Sequence, residues 1–405
     1  MQNGAILGVE LFVVLLAVAV GVSLLTRRVP IPYSVALVLA GLAIAVVGPL
    51  SDLQLPPDVI LAVLIPGLVF EAAYKIDLDE LRRTFPSVAV LAIPGVVVTA
   101  AVVAVVVSKT TGLDIGYAFL LGAIVCATDP VAVVAIFKRL RTPSDLSTVV
   151  EAESLLNDGT GVVMFSIALA AIAAPVSLGE ALFSFVATVI LSGILGVVAG
   201  MVAVRLMRLA GDPLVEVMVS VVTAYGIYLL AGISHESGII ATVTAGIVIG
   251  NPGPRHALSE RTTQALDLVW EFVAFLLTAL TFLLVGVVIT PGSLLAATPV
   301  IVAGFIAITI ARALVVYGVI GGGQRLFGGL LGHQLPLGYL HVMFWAGLRG
   351  AIAVALVLSL PADLPNRELI AGGVYGIVLL TLLLQGTTAG RVVRRSGVAA
   401  TENAA

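Results

Sequence analysis

The sequence has little charge and almost no cysteine. Asp, Glu, Lys and Arg make up 11% of the 405 residues, whereas soluble domains carry about 25%. The single cysteine, Cys126, excludes an internal disulfide. Hydrophobic residues form 60% of the chain, and the mean hydropathy is +1.19. These values exclude an ordinary soluble domain and predict an all-α polytopic membrane protein, with the lipid bilayer as its surroundings.

Thirteen apolar runs are long enough to cross a bilayer, for which about 20 residues are needed. Their approximate bounds are 6–25, 31–49, 58–74, 85–107, 115–137, 146–173, 179–207, 214–232, 236–250, 266–290, 294–320, 334–360 and 367–389. No basic segment precedes the first run, so we expect it to be a mature helix rather than a signal peptide. A transmembrane domain over residues 1–390 and a short tail over 391–405 are predicted, with no attached soluble domain.

The positive charges predict an orientation, because cytoplasmic loops are enriched in Lys and Arg. Most of the 20 such residues fall in alternate connections: Arg27, Arg28, Lys75, Arg82, Arg83, Lys138, Arg139, Arg141, Arg205, Arg208, Arg255, Arg261, Arg325, Arg391, Arg394 and Arg395. The opposite connections hold only Lys109 and Arg367. We therefore expect an external N-terminus and a cytoplasmic C-terminus in a multi-pass protein of the cell membrane.

Two runs contain residues that should interrupt a helix near its middle. Run five contains Ala127–Pro130, and run twelve contains Gly347–Gly350. Proline removes a backbone donor and clashes with the preceding turn. Paired interruptions in two halves of a chain indicate a transporter site. We therefore predict two inverted six-helix repeats, about 6–173 and 214–389, joined by a linker helix at about 179–207.

Run six carries an unusual set of polar residues within apolar surroundings, Glu151 to Gly161. Ionisable residues at such depth indicate function by default. The helical period places Ser154 and Asp158 on one face, and Glu153 and Asn157 on another. We predict that the first face binds a cation or a proton and that the second is structural, with Glu153 paired to Arg312 in run eleven.

Other polar residues support more than one interpretation. Glu71 in run three is either a second anionic ligand or a carboxylate near the cytoplasmic mouth. Glu151 is either part of an access path or a solvated first-turn residue. At the interruptions, Asp129 can offset the positive helix ends and Arg349 the negative ends. Both charges could serve only as caps, although Asp129 could also reach an ion through water.

These residues carry a family resemblance. Thr128-Asp129-Pro130, the segment from Glu153 to Asp158, Ala311-Arg312 and the segment from Gly347 to Ala353 resemble motifs of the monovalent cation:proton antiporter superfamily. They are most similar to its Na+/H+ exchanger branch of NhaP type. The resemblance covers almost the whole chain, with the motifs in order and at compatible spacing.

The resemblance implies thirteen helices, with a core domain that moves against a dimerisation domain in a homodimer. It implies that Asp158 binds Na+ or a proton and that Ser154, Glu71 and the Thr128 carbonyl complete the Na+ ligands. Asp129 would contact the ion indirectly, and Arg349 would supply charge at the second interruption. Asn157 matches the electroneutral branch, because the electrogenic branch has aspartate at that position.

The predicted function is therefore not enzymatic but secondary antiport of Na+, and also of Li+, against H+, without a cofactor or nucleic acid. Burial of a carboxylate favours its protonated form, so proton and Na+ would compete for Asp158. K+/H+ exchange on the same scaffold is the alternative. A cation channel is disfavoured by the lack of a carbonyl-filter motif. An intramembrane aspartyl hydrolase using Asp129 and Asp158 is disfavoured because Leu156 replaces the usual glycine.

Overall fold

A computed structural model of the chain describes residues 2–28, 31–47, 57–174, 176–251, 259–323 and 335–399. These residues form helices joined by short connections, with no strand among them. The first nine helices are α1 (Gln2–Thr26), α2 (Tyr33–Val47), α3 (Pro57–Lys75), α4 (Leu78–Ala92), α5 (Pro94–Thr111), α6 (Ile115–Val125), α7 (Val131–Leu140), α8 (Ser144–Ala173) and α9 (Leu178–Ala210). The all-α prediction is confirmed.

The remaining helices are α10 (Pro213–Ile233), α11 (Gly238–Gly250), α12 (Glu260–Val288), α13 (Pro291–Ala296), α14 (Thr298–Ala313), α15 (Leu337–Trp345), α16 (Ala351–Leu358), α17 (Arg367–Leu380) and α18 (Thr387–Arg395). Two π-helical segments, Leu314–Gly321 and Thr381–Gly386, continue α14 and α17. Arg255 and Arg325, used above to predict orientation, lie outside the described residues.

Several helices have the length and composition of membrane spans. Among the described residues, 7 continuous helical stretches are long and apolar enough to cross a membrane. They are Leu78–Thr111, Ser144–Ala173, Leu178–Ala210, Pro213–Ile233, Glu260–Val288, Thr298–Gly321 and Arg367–Arg395. Shorter apolar helices lie between them, including Ile115–Val125 and Gly238–Gly250. The chain is therefore a multi-pass helical membrane protein.

The fourth apolar run forms a longer helical stretch than its hydropathy predicts. We expected helix from residue 85, but α4 begins at Leu78 because the Asp77 side chain accepts hydrogen bonds from the Asp79 and Glu80 amides. Such capping satisfies amides that have no partner within the helix. Asp79, Arg82 and Arg83 in these first turns are exposed and Glu80 is half-buried, and apolar composition alone does not predict a charged start to the helix.

The two predicted interruptions are present and lie against each other. Helix α6 ends at Val125 and α7 starts at Val131, while α15 ends at Trp345 and α16 starts at Ala351. The Asp129 amide donates to the Leu348 carbonyl at 2.8 Å. Backbone groups away from water require a partner. Each interruption therefore supplies the other with a hydrogen bond that its own helix has lost.

Close packing of α2 on α12 positions one wall of the site. The facing residues are Gly41 and Gly286, and a Cβ atom on either would collide with the backbone of the opposite helix. Small residues allow helix backbones to approach closely within a membrane. This contact holds α12 beside α3 and α16, where its inner residues face the second interruption.

Candidate ion-binding site

A cavity of about 150 Å³ lies between α3, α8, α12 and the two interruptions. Most of its lining is apolar. The structure brings all five predicted ion- and proton-binding residues to this one cavity: Glu71, Thr128, Asp129, Ser154 and Asp158. Three separate segments of the chain supply them, namely α3, the first interruption and α8, so the convergence depends on tertiary structure and not on one helix face.

Two buried hydroxyl groups join α8 to the first interruption. The Thr128 Oγ1 and Ser154 Oγ atoms are 3.0 Å apart and share a hydrogen bond. Asp158 lies one turn after Ser154 on α8 and is partly exposed within the cavity wall. The site thus combines hydroxyl and carboxylate oxygens with unwound backbone, whose carbonyl groups coordinate Na+ or H+ in many secondary transporters.

Asp129 caps both half-helices that leave the interruptions. Its Oδ1 atom accepts from the Val131 amide at 2.9 Å, at the start of α7. The same carboxylate accepts from the Ala351 amide, at the start of α16. Gly350 approaches it so closely that a Cβ atom there would overlap the carboxylate. One negative charge therefore faces the positive ends of two helices, while the residue also lines the cavity.

Asn157 holds the first interruption in place, a role that sequence analysis missed. Its Oδ1 atom accepts from the Thr128 amide at 3.0 Å. Its Nδ2 atom donates to Thr128 Oγ1 at 2.6 Å. The helical period placed Asn157 on the second face of α8, but no local signal indicated that this face meets the unwound backbone. The side chain is buried, so these bonds replace the hydration that water would provide.

The second face of α8 carries an ion pair. Arg312 on α14 contacts Glu153 through both terminal nitrogens, with Nη2 donating to Oε2 at 2.9 Å. Arg312 also donates from Nε and Nη2 to the Met343 carbonyl, at 3.1 and 2.7 Å. Met343 lies in the last turn of α15, so one guanidinium binds a carboxylate and the negative end of a half-helix.

Arg349 lies in the second interruption, between α15 and α16. The hydrogen bonds to a carbonyl at the end of α15 come from Arg312, so the role of the Arg349 charge at the negative helix ends stays a prediction. The Arg349 backbone amide donates to Thr381 Oγ1 at 3.1 Å, at the start of the second π-helical segment. Its side chain is buried, and within the described residues Nε and Nη1 have no hydrogen-bond partner. Its charge lies near Arg312, Cys126 and Glu153.

Glu71 has a partner besides the cavity. It forms an ion pair with Lys75, one turn later at the end of α3. Glu151 does not belong to the cavity lining, and its Oε1 atom accepts from Ser147 Oγ at 2.7 Å. Both readings of Glu71 made from the sequence are therefore compatible with its position, since it lines the cavity and lies beside a lysine.

Across the described ranges, no three or more His, Cys, Asp or Glu side chains are arranged to hold a metal ion. The polar lining groups are the hydroxyls and carboxylates already named, with Thr278 and Thr281 on α12.

Comparison with known proteins places these features in a family. The sequence profile described as "Sodium/hydrogen exchanger, transmembrane" matches residues 13–395. The Na+/H+ antiporter ApNhaP of Aphanothece halophytica is 36% identical over 400 residues, covering 96% of this chain and 75% of the relative. The Na+/H+ antiporter NhaP of Pseudomonas aeruginosa is 36% identical over 351 residues, covering 84% and 81%.

A solved structure has the same fold. The sodium proton antiporter MjNhaP1 of Methanocaldococcus jannaschii superposes with a TM-score of 0.75 at 19% identity, covering 98% of this chain and 100% of the other. At that identity the likeness bears on the fold alone. The profile match and the relatives carry the assignment: the chain belongs to the sodium/hydrogen exchanger family of transmembrane proteins.

Proposed function

We propose that this protein exchanges Na+, and also Li+, for H+ across the cell membrane by electroneutral one-for-one antiport. The observation that carries the proposal is the convergence of Glu71, Thr128, Asp129, Ser154 and Asp158 on one cavity beside two crossed interruptions. The relatives named as Na+/H+ antiporters, which align over most of this chain, support the same activity.

Asp158 is the exchanging group in this mechanism. Its carboxylate binds either a proton or a cation. The protein reorients more readily when Asp158 holds one of these than when its carboxylate is bare, because moving an unpaired charge through the membrane is unfavourable. Ser154, Glu71 and the Thr128 carbonyl complete the cation ligands, and Asp129 acts on the ion indirectly. Their positions in the cavity lining support this ligand set.

Asn157 supports the one-for-one stoichiometry. Its amide has no proton to exchange and is occupied by two hydrogen bonds to Thr128. One Na+ against one H+ moves no net charge, so the driving force excludes the membrane potential. That potential would otherwise contribute about 2.3 kcal/mol per charge per 100 mV.

The finer architecture belongs to the same proposal. Thirteen spans would form two inverted repeats, about 6–173 and 214–389, around a linker at about 179–207. The N-terminus would lie outside and the tail from about 391 in the cytoplasm. A core domain with the interrupted helices would move against a dimerisation domain in a homodimer. The pairing of α6–α7 with α15–α16 supports the repeats.

The test is Na+-driven proton movement in proteoliposomes that contain a pH-sensitive dye. Wild-type protein should respond to Na+ and Li+, at a rate that does not change when a voltage is imposed. Asp158→Asn should abolish the response. Asp114→Asn is the matched control, because Asp114 is exposed and caps α6, a position where asparagine serves equally well.

Three outcomes contradict parts of the proposal. Normal exchange by Asp158→Asn would remove Asp158 from the mechanism. A rate that depends strongly on voltage would exclude the electroneutral stoichiometry. A response to K+ in the absence of a response to Na+ would replace the proposed substrate with K+.

A further inference from the structure

Lys75 places a permanent positive charge on a carboxylate of the cavity. Glu71 lines the cavity, and the Lys75 ammonium forms an ion pair with Glu71 Oε1. The Glu71 side chain is 15% exposed and that of Lys75 is 35% exposed. The pair therefore lies at the boundary between the cavity and the surface. A tethered ammonium and a free cation would compete for the same oxygen atoms.

We propose that Lys75 is a positioning residue that lowers the apparent affinity for Na+ by occupying Glu71 when no transported cation is bound. The inference rests on the proposed function, in which Glu71 is a cation ligand. A lysine suits this role because its ammonium is a compact charge on a flexible four-carbon stem. Binding of Na+ displaces the ammonium without breaking any backbone contact.

The displaced ammonium has a second carboxylate nearby. The charges that act on Glu151, on α8, are those of Lys138, Glu71 and Lys75. Glu151 lies outside the cavity lining, so an ammonium that moves towards it leaves the cation ligands free. Glu71 and Glu151 thus offer Lys75 two alternative partners, one inside the transport site and one beside it.

An ordinary helix-end charge is the competing explanation. Lys75 is the last residue of α3, where a cation interacts favourably with the helix dipole. That role predicts a change in stability on substitution and no selective change in cation affinity. Competition at Glu71 predicts a selective change in cation affinity and no large change in stability. KM for Na+, measured separately from the maximal rate, therefore distinguishes the two explanations.

The size of the effect follows from the strength of the ion pair. An exposed ion pair between residues four apart on a helix favours the contacting state over the separated state by about twofold. Partial burial of Glu71 strengthens the attraction. Removing the ammonium should therefore lower KM for Na+ by about two- to tenfold. The maximal rate should not fall, because uniform changes in substrate affinity alter KM without altering turnover.

The test measures Na+-driven proton movement in proteoliposomes for wild type, Lys75→Gln and Lys75→Arg. Lys75→Gln should lower KM, whereas Lys75→Arg should keep the wild-type value because it retains the charge. Lys75→Met preserves the aliphatic stem and takes the place of Lys75→Gln if that variant folds poorly. Arg82→Gln is the control, because it removes a positive charge from an exposed pair with Asp79 on α4, outside the cavity lining.

A double-mutant cycle tests the second partner. Glu151→Gln should raise KM in the wild-type background, since the ammonium then remains on Glu71. The same change should have little effect in the Lys75→Gln background. Effects that simply add would indicate independent electrostatic contributions and would overturn the competition. An unchanged KM in Lys75→Gln would also overturn it while wild-type exchange persists. Absence of exchange in wild type would instead contradict the proposed function.

Discussion

Removal of Glu153 should destabilise the protein because it leaves the Arg312 guanidinium without its carboxylate. Arg312 is 9% exposed and Glu153 is 2% exposed, so water cannot readily replace the lost partner. Breaking a buried ion pair by removing one member costs about 3–5 kcal/mol. Two hydrogen bonds from Arg312 to the Met343 carbonyl remain, which places the expected loss for Glu153→Ala near the lower end of that range.

The assay is thermal stability of the purified protein in detergent, read as the fraction that remains monodisperse after heating. Glu153→Ala should lower the midpoint, and Glu153→Leu combined with Arg312→Met should recover much of the loss. Apolar replacement of a whole buried pair is often neutral or stabilising. The paired variant therefore distinguishes a stranded charge from a loss of packing. Glu271→Ala, at an exposed position on α12, controls for removal of a carboxylate.

One result would refute the reasoning. If Glu153→Ala were as stable as wild type and only raised KM for Na+, Glu153 would belong to the cation site rather than to the scaffold. The division of α8 into a face for ions and a face for structure would then be wrong.

Three further substitutions test neighbouring contacts. Ser154→Ala should raise KM for Na+ with the fold intact, since it removes one hydroxyl from the cavity; Ser166→Ala on the same helix, whose hydroxyl bonds only its own backbone, should leave KM unchanged. Asn157→Ala should lower thermal stability by an amount equivalent to about 1–3 kcal/mol, because the Thr128 amide loses its acceptor; wild-type stability would contradict that contact. Gly350→Ala should greatly reduce exchange and folded yield by displacing Asp129, whereas Gly226→Ala, where a methyl group meets nothing, should be tolerated.

Periodicity and composition predicted the helical class and the two interruptions, because apolar length, proline and glycine act locally. The helical period also separated Ser154 and Asp158 from Glu153 and Asn157, and these two pairs line different cavities. The start of α4 was missed because a side-chain cap at Asp77, and not hydropathy, determines it.

Contacts between distant segments could not be predicted in the same way. Nothing near Asn157 in the sequence indicates that its amide meets Thr128. Arg312 and Arg349 carry the same guanidinium group, so the residue type does not indicate which of them binds the last turn of α15. The choice depends on how α14 packs against α15. The polar faces of run six predicted the pairing of Glu153 with Arg312, but not the bonds to Met343.

The hydrogen bond from the Asp129 amide to the Leu348 carbonyl has a consequence for biosynthesis. The first interruption enters the membrane long before α15 and α16 are translated, so its amide has no partner from the second interruption during that interval. Asp129 likewise caps α16 only after Ala351 has been added. The backbone of the first interruption therefore gains all its hydrogen bonds only after the C-terminal half has been inserted. A chain truncated before residue 346 should insert less stably and be degraded more readily by membrane proteases.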